Sequence, residues 1–146
     1  MSNEIARSAV QRCACANIRR ADRVITQFYD EMLAESGLHI TQFTLLATLA
    51  EVAPVTVNQL AEIMVMDRTT LTRNLGPLTT QQLVRIETGA DRRVHLVLLT
   101  HEGEEALRRA LPLWQKAQSQ IERTLGRERF DDLLTELSAI MASTSK

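Results

Sequence analysis

The side chains of this 146-residue chain with the most to offer chemically lie in two short runs. Arg68-Thr69-Thr70-Leu71-Thr72-Arg73 presents two guanidiniums and three hydroxyls, and Asp91-Arg92-Arg93 adds two guanidiniums beside one carboxylate. Such groups suit anionic oxygens and base edges. A guanidinium can grip a guanine edge with two parallel hydrogen bonds, and a threonine can bond a phosphate or touch a thymine methyl. An aspartate next to two arginines can hold one of them in the extended pose that a narrow groove accepts. The pattern points to DNA contacts from Arg68, Thr69, Thr70, Thr72 and Arg73 in one element, and from Asp91, Arg92 and Arg93 in another.

Catalytic chemistry finds no comparable footing. The three histidines, His39, His95 and His101, are scattered, without an HExxH or a CxxC, and the five glycines stand singly, so no phosphate-cradling loop forms. No nucleophile has a base signalled nearby. No enzyme, cofactor or metal site is expected. Cys13 and Cys15 are too few and too close together for a disulfide framework.

The elements that must carry the two runs follow from periodicity. Val10, Ala14, Ile18, Ala21, Ile25, Phe28 and Met32 recur at three- and four-residue steps, predicting one long helix over about Val10–Ser36, stopped by Gly37. A second helix is predicted over Thr41–Val52, bounded by Pro54. Thr56-Val57-Asn58-Gln59 reads as a capping box opening a short helix that turns Leu60, Ile63 and Met64 inward. Asp67 can cap the next helix, with Leu71, Leu75 and Leu78 buried and the Arg/Thr run left outward. Leu83–Thr88 and Val94–Leu99 then read as strands around a charged hairpin tip, Gly89 to Arg93. Thr100 caps a further helix with Glu102, Glu104 and Glu105 in its first turns, where the helix dipole favours acids. Pro112 predicts a kink in that helix or a later start. Beyond Gly126 a last helix carries Phe130, Leu133, Leu134, Leu137 and Ile140 on one face. The fold class is mainly α, in the order α-α-α-α-β-β-α-α. A short capped helix, a tight turn, a second helix and a charged hairpin make a winged helix-turn-helix in outline.

Composition agrees with a helical globule. Hydrophobic residues are 45% of the chain, charged residues 24% and aromatic residues only 3%, and β-rich domains lean more on aromatics. Net charge is −1, low for a nucleic-acid binder. Between Thr56 and His95, five arginines face four acids. The case for DNA therefore rests on architecture and not on bulk charge. No apolar run approaches the roughly 20 residues that span a bilayer, and Met1–Arg12 has no signal-peptide core. A cytoplasmic protein with no membrane partner is expected.

The run Leu71-Thr72-Arg73, then Leu83-Val84-Arg85, Asp91-Arg92-Arg93, Leu96, Leu98-Leu99-Thr100 and Gly103 resembles the MarR family of regulators over nearly the whole chain. The resemblance implies a single domain over 1–146, with a winged lobe at 41–100 and dimerisation helices at 1–36 and 101–146. It further implies a homodimer on a pseudo-palindromic DNA operator, usually as a repressor. Two departures stand out: Gln82 occupies a position where the family usually has glycine, and Gly76-Pro77 falls within the recognition helix, where a bend is expected. A scaffold that dimerises without binding DNA is the reading from another class.

In the family a small ligand commonly binds between the dimerisation helices and the lobe, and small aromatic carboxylates are the usual kind. Asn17, Arg20, Phe28, His39, Phe43, Met64 and Met66 are the lining this implies, although Met and Phe at helical spacing are also ordinary core. On one continuous helix Cys13 and Cys15 would point about 200° apart, too far to share a metal or an unstrained disulfide. Cys15 precedes Tyr29 by fourteen residues, which resembles the peroxide-sensing branch. That branch has a second tyrosine where this chain has Ile40. Ligand release is therefore favoured over redox sensing through Cys15.

Overall fold

A computed structural model of the chain describes residues 3–144. The long first helix is two: α1 spans Asn3–Arg12 and α2 spans Ala14–Leu33. Cys13 leaves helical geometry (φ −71°, ψ 114°), and its thiol accepts the Ala16 N–H at 3.4 Å. The Asn17 side-chain amide bridges the break, donating to the Gln11 carbonyl at 2.9 Å and to the Cys13 carbonyl at 2.8 Å. A single 3₁₀ turn, Ala34–Ser36, ends at Gly37, whose φ of 77° supplies the left-handed stop that was expected.

Helix α3 (Ile40–Val52) leads into β1 (Val55–Thr56), a two-residue strand absent from the sequence reading. It is held only by β3, Val55 pairing with Val97 and Thr56 with Leu96. Helices α4 (Val57–Ile63) and α5 (Arg68–Thr80), strands β2 (Val84–Thr88) and β3 (His95–Leu99), and helices α6 (His101–Leu125) and α7 (Arg127–Thr144) complete the chain. The sheet runs β1-β3-β2, all antiparallel, with Val84 opposite Leu99 and Thr88 opposite His95. α5 continues as a helix past Pro77, and α6 both starts where Thr100 caps it and runs past Pro112.

The core lies under the lobe. Leu45, Leu46 and Leu49 of α3, Leu60 of α4, Leu71, Leu75 and Leu78 of α5, Val84 and Val97 of the sheet and Leu33 of α2 are all nearly or fully buried. Ile63, expected inward, is 49% exposed. Its helix ends there, and Met64, the next residue, packs against the core in its place.

Both ends of the α4–α5 pair close in the same way. At the end of α4, Met66 N–H bonds to the Ala61 carbonyl and Val65 N–H to Glu62; at the end of α5, Leu83 N–H bonds to Leu78 and Gln82 N–H to Thr79. These are paired Schellman bonds around a left-handed residue. That residue is Val65 (φ 53°) in one case and Gln82 (φ 61°) in the other. Both bear the steric cost of a Cβ in this region, and at Gln82 the resemblance implies a glycine. Gln82→Gly is therefore expected to raise stability by about 1 kcal/mol, read as a higher urea midpoint at unchanged slope; an unchanged or lower midpoint would show that the turn is not strained.

Candidate DNA-binding face

The cap of α5 is built by Asp67. Its Oδ1 accepts the Thr70 N–H and its Oδ2 the Thr70 hydroxyl, both at 2.8 Å. The Thr70 backbone bond first, then the hydroxyl bond, hold the Asp67 carboxyl below its ordinary pKa. A depressed carboxylate stabilises the fold above its unfolded pKa, and that contribution fades as pH falls through the lower folded value. Thr70 is thus half-buried in the cap. Arg68, Thr69, Thr72 and Arg73 instead line one shallow, exposed surface of α5 of about 440 Å³. The Thr72 hydroxyl donates back to the Arg68 carbonyl at 2.8 Å, which leaves its lone pairs and methyl outward. Neither Arg68 nor Arg73 has a carboxylate within 4.0 Å among the described residues.

On the wing, Asp91 Oδ1 accepts the Arg93 N–H at 3.0 Å and lies 3.4 Å from Arg93 Nε. The Arg93 side chain is 91% exposed even so, a pose in which the carboxylate aims the guanidinium without covering it. Arg92 has no ion pair among the described residues. Arg85 and Glu87 form a 2.8 Å pair on β2, which sequence reasoning did not single out; their two-residue spacing on one strand face was the available signal.

The seven residues implied as a ligand lining do not share one place. Asn17, Arg20 and Phe28 come together in a cleft of about 700 Å³ between α2 and α6, with Val24 and Ile121 as apolar wall. Arg20 Nη2 donates to Asn17 Oδ1 at 3.1 Å. Phe43 is core, 5% exposed and stacked on Trp114 at 5.7 Å. Met64 and Met66 pack on the edge of the same core. His39 stands at the head of α3, its Nδ1 3.4 Å from Asp30 Oδ2, and its N–H donates to the Gln42 side chain at 3.0 Å. Asp30 also accepts the Ile40 N–H at 2.7 Å, tying α2 to α3. Cys13 and Cys15 are both exposed. Tyr29 donates to Gln118 at 2.7 Å, and its pKa is raised by burial and then by the nearby Glu122. Among the described residues no three His, Cys, Asp or Glu side chains gather to hold a metal, and no helix is long and apolar enough to cross a membrane.

A sequence model of the MarR family matches residues 36–94. The helix-turn-helix-type transcriptional regulator YwoH of Bacillus subtilis is 30% identical over 98 residues, 67% of this chain and 72% of its own. The transcriptional regulator MosR of M. tuberculosis, solved in complex with DNA, is 38% identical; the match covers 90% of this chain and 98% of that one, with a TM-score of 0.79. The repressor CouR on a DNA duplex shares the fold at a TM-score of 0.81 and 24% identity, over 90% of this chain and 94% of its own. This chain belongs to the MarR family of winged helix-turn-helix, DNA-binding transcription regulators, which are not enzymes.

Proposed function

We propose that the chain is a homodimeric repressor that reads a pseudo-palindromic operator with α5 in the major groove and the wing in the minor groove. The outward stripe of Arg68, Thr69, Thr72 and Arg73 carries this reading, because an α-helix presenting donors from its first turns is what the major groove admits. The DNA complex of MosR, at 38% identity, supports it. Residues 41–100 would form the reading lobe, and 1–36 with 101–146 the dimerisation helices. Support for the dimer comes from apolar side chains left in solvent on those helices: Ile5 is 65% exposed, Val10 54% and Leu134 48%. A second copy would cover them.

For release, the α2–α6 cleft suits a small aromatic carboxylate, with Phe28 and Ile121 against the ring and the free N–H groups of Arg20 on the anion. Such a ligand releases DNA only by preferring one spacing of the two lobes. A second reading rests on the break at Cys13. Outside a continuous helix the 200° argument no longer separates the two exposed thiols. A peroxide could then take two electrons from Cys13 and Cys15, forming one S–S bond and releasing two waters.

Gel shift against the upstream region of its own gene, with sedimentation of the free protein, tests the reading. A dimer at micromolar concentration and a salt-sensitive specific shift are expected, with release by salicylate that Arg20→Ala abolishes. A stable monomer, or no specific shift, would overturn the function. Release by mild peroxide, lost in both Cys13→Ser and Cys15→Ser while salicylate does nothing, would install the second reading in place of the ligand.

A further inference from the structure

Helix α1 buries no residue and packs chiefly on α2, yet it is held and not frayed. The Asn17 amide secures the break before α2 through the Gln11 and Cys13 carbonyls. Arg20 fixes the orientation of that amide by donating to Asn17 Oδ1. At about 100° per residue, Ile5, Ala6, Ala9 and Val10 share one face of α1, with Arg12 on one flank and Arg7 on the other. The sole acid of the helix, Glu4, falls on the far side.

Helix α7 follows the same plan with the sign reversed. Phe130 is buried, and the exposed Leu133 and Leu134 lie to either side of it. Asp131 flanks the stripe beyond Leu134, and Glu136 flanks it beyond Leu133. From Phe130 to Thr144 the helix carries three acids, Asp131, Asp132 and Glu136, and no cation. Charges placed along the edges of an apolar helical seam are what set partner and orientation in helix pairs. Yet Arg7, Arg12, Asp131 and Glu136 form no ion pair within 4.0 Å among the described residues. One chain thus carries two complementary surfaces and leaves both unused. Two copies related by a twofold axis would use both, since α1 of each could lie on α7 of the other, and the seam is then made twice.

We propose that α1 docks on α7 of a second copy, arginine flanks against acidic flanks, and that this split of sign selects the partner. A helical chain with the same apolar faces but no such split would set like charges together or leave these ones unmatched. Matched surface pairs add little affinity, whereas opposed ones reject a wrong partner strongly. The pairing rests on the homodimer proposed above, and adds which surfaces meet and what they refuse.

Two full-length variants test it, one Arg7→Glu/Arg12→Glu and the other Asp131→Lys/Glu136→Lys. Sedimentation and native mass spectrometry read their assembly, and dichroism checks that each is helical. Each variant alone is expected to self-associate at least about tenfold more weakly than the parent, because both of its seams bring like charges together. An equal mixture of the two is expected to form a heterodimer with affinity close to the parent's, because each seam again joins opposite signs. Variants that dimerise as tightly as a dimeric parent would overturn the pairing and leave the homodimer standing. So would weakened variants that the mixture fails to restore; recovery only in a chain carrying all four substitutions would place α1 on its own α7. A monomeric parent would overturn the homodimer itself, and the pairing with it.

Discussion

Gly103→Ala is expected to lower folding stability by about 3 kcal/mol, at the upper end for overpacking a close contact. A Cβ at this position would lie 2.1 Å from the Leu83 carbonyl oxygen and 2.7 Å from Leu99 Cδ1. The leucine side chain could rotate away, but the carbonyl cannot. It accepts the Thr100 N–H at 3.1 Å, and the Leu83 N–H is fixed to Leu78 at 2.9 Å. Thr100 adds to the constraint, donating its hydroxyl to the Gln82 carbonyl at 2.6 Å while accepting the Gly103 N–H at 3.0 Å. Backing α6 away would break the seam that joins the winged lobe to the C-terminal helices. Urea unfolding read by far-UV dichroism measures the loss. A midpoint equal to that of the parent would mean that the seam is looser than these distances state.

The second large effect concerns DNA. Arg73→Ala should weaken specific operator binding by about 1–3 kcal/mol, or roughly five- to 150-fold, if its guanidinium reads a base edge. The loss should be concentrated on the operator, with much less change on unrelated duplex. Arg93→Ala should weaken both kinds of binding and reduce the slope of log affinity against log salt by about one, as for a released phosphate contact. The two signatures separate a reading residue from a gripping one. Unchanged affinity in both variants, with dichroism and sedimentation unaltered, would remove α5 and the wing from the interface.

The parts of this molecule that local chemistry dictates were legible in the sequence. The Thr56–Gln59 capping box forms, with the Gln59 N–H bonded to the Thr56 hydroxyl at 3.1 Å; Asp67 caps α5, and Leu71, Leu75 and Leu78 point inward. Each follows from three- or four-residue spacing. The parts that long-range packing dictates were not. β1 exists because Val55 and Thr56 meet β3 some forty residues away, and two residues carry no periodicity. The break at Cys13 lies in an alanine-rich stretch with no Gly or Pro, and cysteine is not a usual cap. Its stabilising bonds come from Asn17, read beforehand only as ligand lining. Phe43 shows the same ambiguity, since an aromatic at helical spacing lines a pocket or fills a core with equal sequence signal.

The left-handed turns at Val65 and Gln82 bear on the order in which the chain organises itself. The backbone bonds and the cap that shape the α4–α5 turn and the exit into β2 span five residues or fewer: Met66 to Ala61, Asp67 to Thr70, Leu83 to Leu78. Closing loops of that length costs little chain entropy. The bonds that dock this unit onto the rest are far more distant in sequence, eighteen residues from Thr100 to Gln82 and eighty-nine from Tyr29 to Gln118. The folding barrier therefore lies in docking and not in shaping the reading unit, because long-range closure is what slows a chain of this size. Substitutions at the short-range turns, already formed at that barrier, will then alter how fast the native state is reached more than how long it survives.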